Sequence, residues 1–224
     1  MLNQIVLQQV SKSFWQGPVE FKVLDQVSIS FSLNHNYALL GRSGSGKSTL
    51  IHLLAGTELP DAGQIYWGEQ GLGGLNSNQR AKFWNQQVGL VFQQANLIAE
   101  LTVLENVMLK GLIAGQDRQI VQAQAFELLD QVGLSPKISS APGYLSRGEQ
   151  QRVAIVRALM GRPKMVLADE PTASLDAQTG QKIIELLLDL HYRYQVGLII
   201  STHDQQLSQM MDTRLYLESG TLQL

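Results

Sequence analysis

The stretch YALLGRSGSGKSTLIHLL, residues 37–54, decides the fold of this chain. Its apolar beginning, Tyr37–Leu40, predicts a buried strand, and its apolar end predicts a helix that begins near Lys47. The glycine-rich loop between them fits the pattern G-x-x-x-x-G-K-[ST]. A flexible Gly/Ser loop would not need a strand before it and a helix after it. The stretch therefore predicts a nucleotide-binding loop in an α/β fold.

The residue types in this loop suit a polyphosphate. Gly41, Gly44 and Gly46 let the backbone turn with its N–H groups facing inward, which makes a concave site for anionic oxygens. The N-terminus of the following helix adds partial positive charge. Lys47 is placed to reach the β- and γ-phosphates, and the Ser48 hydroxyl is placed to ligate Mg²⁺.

Composition limits the partners that the chain can have. The 224 residues carry a net charge of −2 and no basic run, which argues against nucleic acid as the main partner. The absence of cysteine excludes disulfides and thiol-based metal sites. No segment approaches the roughly 20 apolar residues that cross a bilayer, so a membrane role requires a partner protein.

The N-terminal third predicts an antiparallel layer before the loop. Residues 2–10 and 23–33 alternate apolar and polar side chains, as half-buried strands do, and Gly17-Pro18 marks a turn between them. Phe14 and Trp15 lie near this turn, where an aromatic ring could stack on a nucleobase. From the residues alone, packing at the core or its rim is favoured for both.

The rest of the chain alternates between predicted strands and helices. Buried or short strands are predicted at 64–67, 88–92, 165–168 and 196–200, a loop at 68–78, an amphipathic helix at 180–190 and a terminal hairpin at 215–222. From Ala95 to Leu159 the pattern is helical. Within it an apolar stripe that ends at Gly133 comprises Ile120, Val121, Phe126, Leu128, Leu129 and Val132.

Polar residues stand where two of these strands end. Asp169 and Glu170 follow one strand and His203 follows another, and ligands bind at the carboxyl ends of the strands in open α/β sheets. Asp169 suits a Mg²⁺ site and Glu170 suits polarisation of an attacking water. Ser146 and Glu149 form the capping pattern S-x-x-E, and a capped helix N-terminus is also an anion site.

Six motifs, taken in chain order, resemble the nucleotide-binding subunits of ABC transporters. They are GRSGSGKS at 41–48, Gln93 in VFQQ, LSRGEQQR at 145–152, MVLADE at 165–170, SLD at 174–176 and His203. Four segments further resemble the lipoprotein-release and macrolide-export group of that family: VFQQANLIAELTVLENV at 91–107, RVAIVRAL at 152–159, VLADEPTASLD at 166–176 and STHD at 201–204.

The resemblance implies a fold and a mechanism. The fold is α/β, a phosphate-loop NTPase core at about 1–93 and 160–224 with an N-terminal antiparallel β layer and an inserted helical subdomain at about 94–159, all in one domain. The mechanism is ATP hydrolysis with Mg²⁺ in a head-to-tail homodimer, which drives an integral-membrane permease from the inner face of the membrane. The segment from Gln93 to about Glu105 would dock on that permease.

The resemblance also assigns roles to single residues. The catalytic set is Glu170, His203, Lys47 and Gln93, and the metal ligands are Ser48, Gln93 and Asp169. The nucleotide contacts are Phe14, Gly41, Arg42, Ser43, Gly44, Ser45, Gly46, Lys47, Ser48, Thr49, Gln93, Ser146, Gly148 and Asp176, of which the last three would act on the ATP of the partner subunit or connect the two sites. Trp15 competes with Phe14 for the adenine ring.

One position departs from the family pattern and leaves alternatives open. The segment LSRGEQQR at 145–152 matches the signature motif of the family, and Arg147 stands where that motif usually has glycine. If the position needs a positive φ, arginine costs on the order of 1 kcal/mol and hydrolysis slows; otherwise its side chain points to the opposing subunit or to solvent. A regulator of a cell-envelope or division complex shares every motif, and a scaffold that binds ATP without turnover stays open. A GTPase or small-molecule kinase does not explain LSRGEQ or His203.

Overall fold

The computed structural model describes residues 3–223, so Met1, Leu2 and Leu224, including the predicted start of the first strand, lie outside the described part. The first sheet is antiparallel with the strand order β2-β1-β4-β5. Its strands are β1 (Gln4–Gln16), β2 (Val19–Ser32), β4 (Ala62–Trp67) and β5 (Gln70–Gly71). The predicted antiparallel layer is therefore confirmed.

Strands β1 and β2 are longer than the sequence predicts. Their register shifts between Leu7 and Val10 and again before Ser13, and Gln9 and Gln26 have φ values of 50° and 49°. Each such bulge moves later side chains to the other face of the sheet. The alternation of apolar and polar side chains therefore changes phase within one strand. A strand predicted from strict alternation ends at this change of phase, before the real strand does.

The second sheet has six strands in the order β10-β9-β3-β8-β7-β6. All neighbours are parallel except β10 and β9, which form the predicted terminal hairpin. The bounds are β3 (Asn36–Leu40), β6 (Val88–Val91), β7 (Met165–Asp169), β8 (Gly197–Thr202), β9 (Thr213–Glu218) and β10 (Thr221–Gln223).

The inner strands of this sheet are buried on both faces, and alternate residues divide between two cores. Ala168 faces a core built mainly with the helices, whereas Leu167 and Leu39 face a core shared with the antiparallel sheet. Because both faces are covered, these strands carry continuous apolar runs, as parallel strands usually do. The ends of the strands are the places where polar residues can emerge.

Helices cover the two faces of the parallel sheet. The bounds are α1 (Lys47–Leu54), α2 (Ser77–Gln86), α3 (Val103–Ile113), α4 (Arg118–Gln131), α5 (Arg147–Leu159), α6 (Ala177–Tyr194) and α7 (Gln205–Ser208), with 3₁₀ turns at Ser135–Lys137 and Pro142–Tyr144. Helix α1 begins at the predicted residue.

Helix α2 corrects the sequence analysis, which predicted a loop to residue 78 and no helix after it. Asn76 caps α2 and accepts a hydrogen bond from the Gln79 N–H, while the Gln79 side chain accepts one from the Asn76 N–H. Phe83 is buried against Trp67 at 5.0 Å between ring centroids. The helix is otherwise polar, so an apolar stripe is a poor guide to it.

The region predicted as helical is only partly so, because residues 95–102 have no helix before α3 begins. In α4 the predicted stripe is right for Val121, Leu128 and Leu129, which are buried. It is wrong for Ile120 and Phe126, whose side chains are exposed. Ile120 is next to the buried Val121, and Phe126 is two residues before the buried Leu128. Residues one or two positions apart lie on different faces of a helix, so both side chains point away from the core.

Candidate nucleotide-binding site

Three neighbouring strands bring the predicted phosphate-site residues to one edge of the parallel sheet. Strand β3 runs into the phosphate loop, β7 ends at Asp169 before Glu170, and β8 ends before His203. These strands lie side by side in the order β3-β8-β7 and are parallel, so their carboxyl ends meet. The loop therefore forms one site with the carboxylates and the histidine, although it lies 120 residues or more before them in the chain.

Two glycines of the loop are required by close contacts. A Cβ at Gly46, which has a φ of 103°, would lie 2.6 Å from Val23 Cγ1, and one at Gly41 would lie 2.6 Å from the Leu217 carbonyl oxygen. The loop is thus wedged between β2 and β9. The Ser45 N–H donates to the Arg42 carbonyl at 3.1 Å and closes a turn.

Lys47 is held inside this loop. Its ammonium donates to the Gly41 carbonyl at 3.0 Å and to the Arg42 carbonyl at 3.2 Å, and only 4% of the side chain is exposed. The same nitrogen lies 3.3 Å from Glu170 Oε1. A buried cation with one carboxylate partner is stabilised by that pair and offers strong, charge-assisted hydrogen bonds to an anion that enters the loop.

Glu170 joins the loop to the histidine. Its second oxygen, Oε2, lies 3.3 Å from His203 Nδ1, and the exposed fractions of the two side chains are 22% and 65%. The Glu170 backbone has a φ of 43°, and its N–H donates to Ser201 Oγ at 2.9 Å. Such left-handed backbone is uncommon outside glycine and concentrates at functional sites.

Asp169, the predicted metal ligand, is oriented by a residue that the sequence analysis did not single out. The Ser201 hydroxyl donates to Asp169 Oδ1 at 2.6 Å while it accepts from the Glu170 N–H. Ser201 is fully buried in β8, the neighbour of β7. A serine among apolar residues at the end of a buried strand was the available signal.

Gln93 and Ser48, the other predicted metal ligands, are exposed, and within residues 3–223 their side chains make no hydrogen bond to this cluster. Within residues 3–223 the Gln93 amide makes no hydrogen bond. The backbone around it is nevertheless fixed by α5: Gln151 Nε2 donates to the Phe92 carbonyl at 3.0 Å, and Arg157 donates to the Ala95 and Asn96 carbonyls at 2.7 Å each.

The two candidate adenine-stacking aromatics are both accessible. Phe14 and Trp15 stand in β1 with 43% and 69% of their surface exposed, and as neighbours in a strand they face opposite sides of the sheet. Lys12 Nζ lies 5.4 Å from the centroid of the Phe14 ring and is itself held by Glu58 at 2.9 Å and Asp61 at 3.0 Å. Phe14 is therefore the ring whose position is constrained.

The signature residues form a separate helix end. Ser146 Oγ accepts from the Glu149 N–H at 3.3 Å, and Glu149 Oε2 accepts from the Ser146 N–H at 2.8 Å, so the predicted capping box is confirmed. These hydrogen bonds from Ser146 hold the pKa of the Glu149 carboxyl below its usual value. Gly148 is buried, and a Cβ there would lie 2.7 Å from Thr179 Cγ2.

Asp176 is also a helix cap. Its Oδ1 accepts from the Thr179 N–H at 2.9 Å at the start of α6, and hydrogen bonding from Thr179 lowers the pKa of the Asp176 carboxyl.

The structure shows whether position 147 needs a positive φ and where the arginine side chain points. Arg147 is the first residue of α5 and has no positive φ, so it costs no left-handed strain. Its side chain turns to the Ser174 carbonyl of its own chain, at 3.4 Å.

The phosphate loop and the signature open into different cavities. One of about 660 Å³ is lined by Gly41–Ser45 and His203, and the other, of about 600 Å³, by Ser146–Glu149 and Ser174–Asp176. Among residues 3–223, no residue lines both. One chain therefore does not bring the signature to its own phosphate loop.

None of the helices within residues 3–223 combines the length and the apolar character that crossing a bilayer requires. The same residues contain no group of three or more His, Cys, Asp or Glu side chains placed to hold a metal ion.

Comparison with known proteins places the chain. The family model for ABC transporters matches residues 24–173. The lipoprotein-releasing system ATP-binding protein LolD of Legionella pneumophila strain Paris is 43% identical over 223 residues, 99% of this chain and 98% of the relative, and LolD of Shewanella oneidensis is 41% identical over 218 residues, 97% and 95%.

Solved structures agree with these relatives. The dimeric structure of MJ0796, a bacterial ABC transporter cassette, is similar with a TM-score of 0.90 and 32% identity, over 98% of this chain and 97% of that one. A dimeric post-hydrolysis state of the same cassette, bound to ADP and Pi, gives a TM-score of 0.89. The chain therefore belongs to the ABC transporter family, as an ATP-binding and ATP-hydrolysing cassette similar to the lipoprotein-releasing group.

Proposed function

We propose that two copies of the chain close head to tail around two ATP molecules and so drive a membrane permease that extracts lipoproteins or related lipids and peptides. The observation that carries the dimer is the separation of two half-sites. The phosphate loop and His203 line one cavity, and the Ser146 helix end lines another. Each half-site meets its complement only in a second copy.

Charge explains why both halves are needed. The γ-phosphate is highly charged, and Lys47 with the loop N–H groups covers only part of it. Ser146 stands at the N-terminus of the 13-residue helix α5, whose partial positive charge and free N–H groups attract anions. Ser146 and Gly148 from the partner would supply, in trans, what an arginine finger supplies in other phosphate-loop enzymes.

The residues within one chain divide the hydrolysis between them. Lys47, whose ammonium now bonds two loop carbonyls and Glu170, would exchange part of this set for the β- and γ-phosphates. That exchange frees Glu170 to accept a proton from the attacking water and orient it. His203, bonded to Glu170 through Nδ1, would contact the γ-phosphate through its ring.

The remaining contacts complete the nucleotide site. We assign the phosphates to the loop backbone from Gly41 to Gly46 and to the Ser48 and Thr49 hydroxyls that follow. Phe14 takes the adenine, because its ring is accessible and its position is constrained by Lys12. Asp176 connects the two sites across the dimer.

The donor set also fits Mg²⁺. Ser48, Gln93 and Asp169 offer a hydroxyl, an amide oxygen and one carboxylate, and Mg²⁺ in nucleotide sites takes one or two carboxylates with phosphate oxygens and waters. The Ser201 bond to Asp169 Oδ1 orients the carboxylate and leaves its other oxygen for the metal. When bound, the ion would neutralise charge on the β- and γ-phosphate oxygens.

A permease at the inner face of the membrane is the proposed partner. The relatives at 43% and 41% identity are ATP-binding proteins of a lipoprotein-releasing system, which supports extraction as the work performed. The segment from Gln93 to Glu105 would dock on the permease, and the helical region at about 94–159 would form the subdomain that moves with it. Arg157 supports this link, because it ties residues 95 and 96 to α5.

Reconstitution tests this function. The chain and a multi-span membrane protein that copurifies with it are placed in lipid vesicles that contain a lipoprotein, with Mg²⁺ and ATP. We expect ATP-dependent release of the lipoprotein to the medium, and none with the Glu170→Gln variant. ATP hydrolysis without release of lipoprotein, lipid or peptide would instead identify a regulator of an envelope complex, and preference for GTP over ATP would overturn the assignment of the nucleotide.

A further inference from the structure

Arg147 stands at a position that helix energetics does not favour. It is the first residue of α5, next to the partial positive charge of the helix N-terminus, where a cationic side chain is unfavourable. Its side chain leaves the helix and donates from Nη1 to the Ser174 carbonyl at 3.4 Å. The residue therefore contributes through this contact and not through the stability of its own helix.

Ser174 lies in the middle of a short segment that begins at the catalytic carboxylate. The Ala173 N–H donates to the Glu170 carbonyl at 3.1 Å, and the Leu175 N–H donates to the Thr172 carbonyl at 3.0 Å. These two turns carry the chain from Glu170 to Asp176. A tether on Ser174 thus acts on both ends of the segment.

A second contact joins the same two parts of the chain. Thr179, whose N–H is bonded to Asp176, packs so closely on Gly148 that a Cβ there would lie 2.7 Å away. The apolar Gly148 contact fixes how near α5 approaches α6, whereas the Arg147 bond fixes the loop that precedes α6. Arg147 and Ser174 both line each of the two cavities beside this loop, so their contact lies between the cavities.

We propose that Arg147 is a positioning residue that ties the Glu170–Asp176 segment to the signature helix of the same chain. This rests on the proposed dimer, in which the signature helix faces the partner's ATP while Glu170 faces the ATP of its own chain. The Arg147–Ser174 bond then links the two ATP sites within one subunit. Its loss loosens the segment, and the water-orienting carboxylate is held less well.

Amide hydrogen exchange of the nucleotide-free full chain tests the tether. In Arg147→Ala we expect exchange at the Ala173 and Leu175 amides to rise about fivefold, the effect of losing one ordinary hydrogen bond. Arg147→Lys, which keeps a donor on a shorter side chain, should lie between. Arg193→Ala is the matched control, because it removes an exposed guanidinium whose one hydrogen bond within residues 3–223 is to Asp189, at 2.9 Å. Unchanged exchange in Arg147→Ala would overturn the proposal.

Steady-state ATP hydrolysis by the same proteins tests the consequence. Positioning predicts that Arg147→Ala lowers kcat by about threefold to tenfold while KM for ATP stays within about twofold. A direct contact of Arg147 with the partner's phosphate predicts the opposite, a raised KM with unaltered exchange, and would also overturn the proposal. If the wild-type chain hydrolyses no ATP, the proposed function fails, and the exchange result still decides whether the tether exists.

Discussion

The Lys47–Glu170–His203 cluster and the Ser146 helix end are both proposed to bind phosphate, but they are held in different ways. The cluster joins residues up to 156 positions apart, and its contacts depend on three adjacent strands. The helix end is held by Ser146 and Glu149, three residues apart, through a capping box. One half-site is a product of the tertiary fold, and the other is a product of local sequence.

This difference explains why the two halves can belong to different subunits. A half-site that is held locally keeps its geometry wherever its helix moves, so it can approach and leave an ATP as a rigid piece. In the proposed dimer, the half-site that is held by the sheet would keep the nucleotide in place. Differential affinity of ATP for the closed arrangement is then the source of the work. Four experiments test whether the two half-sites have these separate roles.

Glu170→Gln should have the largest effect. Glutamine has the shape of glutamate and can still bond to His203, but it cannot act as a base. We therefore expect turnover to fall on the order of 10²–10³-fold. ATP binding should persist, and an ATP-loaded dimer should accumulate, visible by light scattering with Mg²⁺. A turnover rate within a few-fold of the wild type would remove Glu170 from the catalytic role.

Lys47→Ala should act on binding before chemistry. It removes the charge-assisted contacts to phosphate and leaves Glu170 half-buried without its cation, so we expect ATP affinity to fall at least about tenfold by calorimetry. Glu170→Gln serves as the matched comparison, because it removes the other member of the same ion pair and should keep affinity. Equal affinities in the two variants would contradict separate roles.

Two substitutions at Ser146 separate capping from phosphate contact. Ser146→Ala should lower the free energy of unfolding by about 1 kcal/mol, because the cap is lost. Ser146→Asp, although it lies beside Glu149, keeps a good cap, but its charge repels phosphate. We therefore expect Ser146→Asp to lower ATP-dependent dimerisation about tenfold with a smaller loss of stability. Normal dimerisation of Ser146→Asp would place the γ-phosphate away from this helix end.

Lys110 should give the smallest effect, on stability alone. Burial lowers the pKa of its ammonium to about 8, and the side chain donates to the Val88 carbonyl at 2.9 Å. Because the folded state disfavours the charged form, burial of the ammonium lowers the free energy of unfolding. This loss of stability is fully present below pH 8 and declines as the pH rises toward 10.5, the pKa of the group in the unfolded chain.

Denaturant unfolding of the wild type and Lys110→Met as a function of pH measures this. The stability of the wild type relative to the variant should rise by about 1 kcal/mol between pH 8 and pH 9. A flat difference would show that the ammonium is solvated. Activity at pH 7.5 should be the same in both proteins, since Lys110 lies outside both half-sites.

Much of the fold could be predicted because local patterns and packing agree. The run Tyr37–Leu40 is a buried strand, Lys47 begins the next helix, and the strand before Asp169 is buried, as predicted. The errors occur where the pattern has no fixed period. Bulges at Gln9 and Gln26 change the phase of the apolar alternation in two strands. The polar helix α2 has one buried residue, Phe83, which is too few to give an apolar stripe.

For the candidate site, the components could be read from the amino-acid sequence: the glycine loop, the capped signature helix, and the carboxylates and histidine at strand ends. Their roles as catalytic and metal-binding groups stay predictions. The three-dimensional fold was needed to show that Glu170 contacts both Lys47 and His203, that Ser201 orients Asp169, and that Arg147 reaches Ser174. The physical reason is that residue spacing fixes local hydrogen bonds, whereas contacts between strand ends depend on the order in which the strands pair.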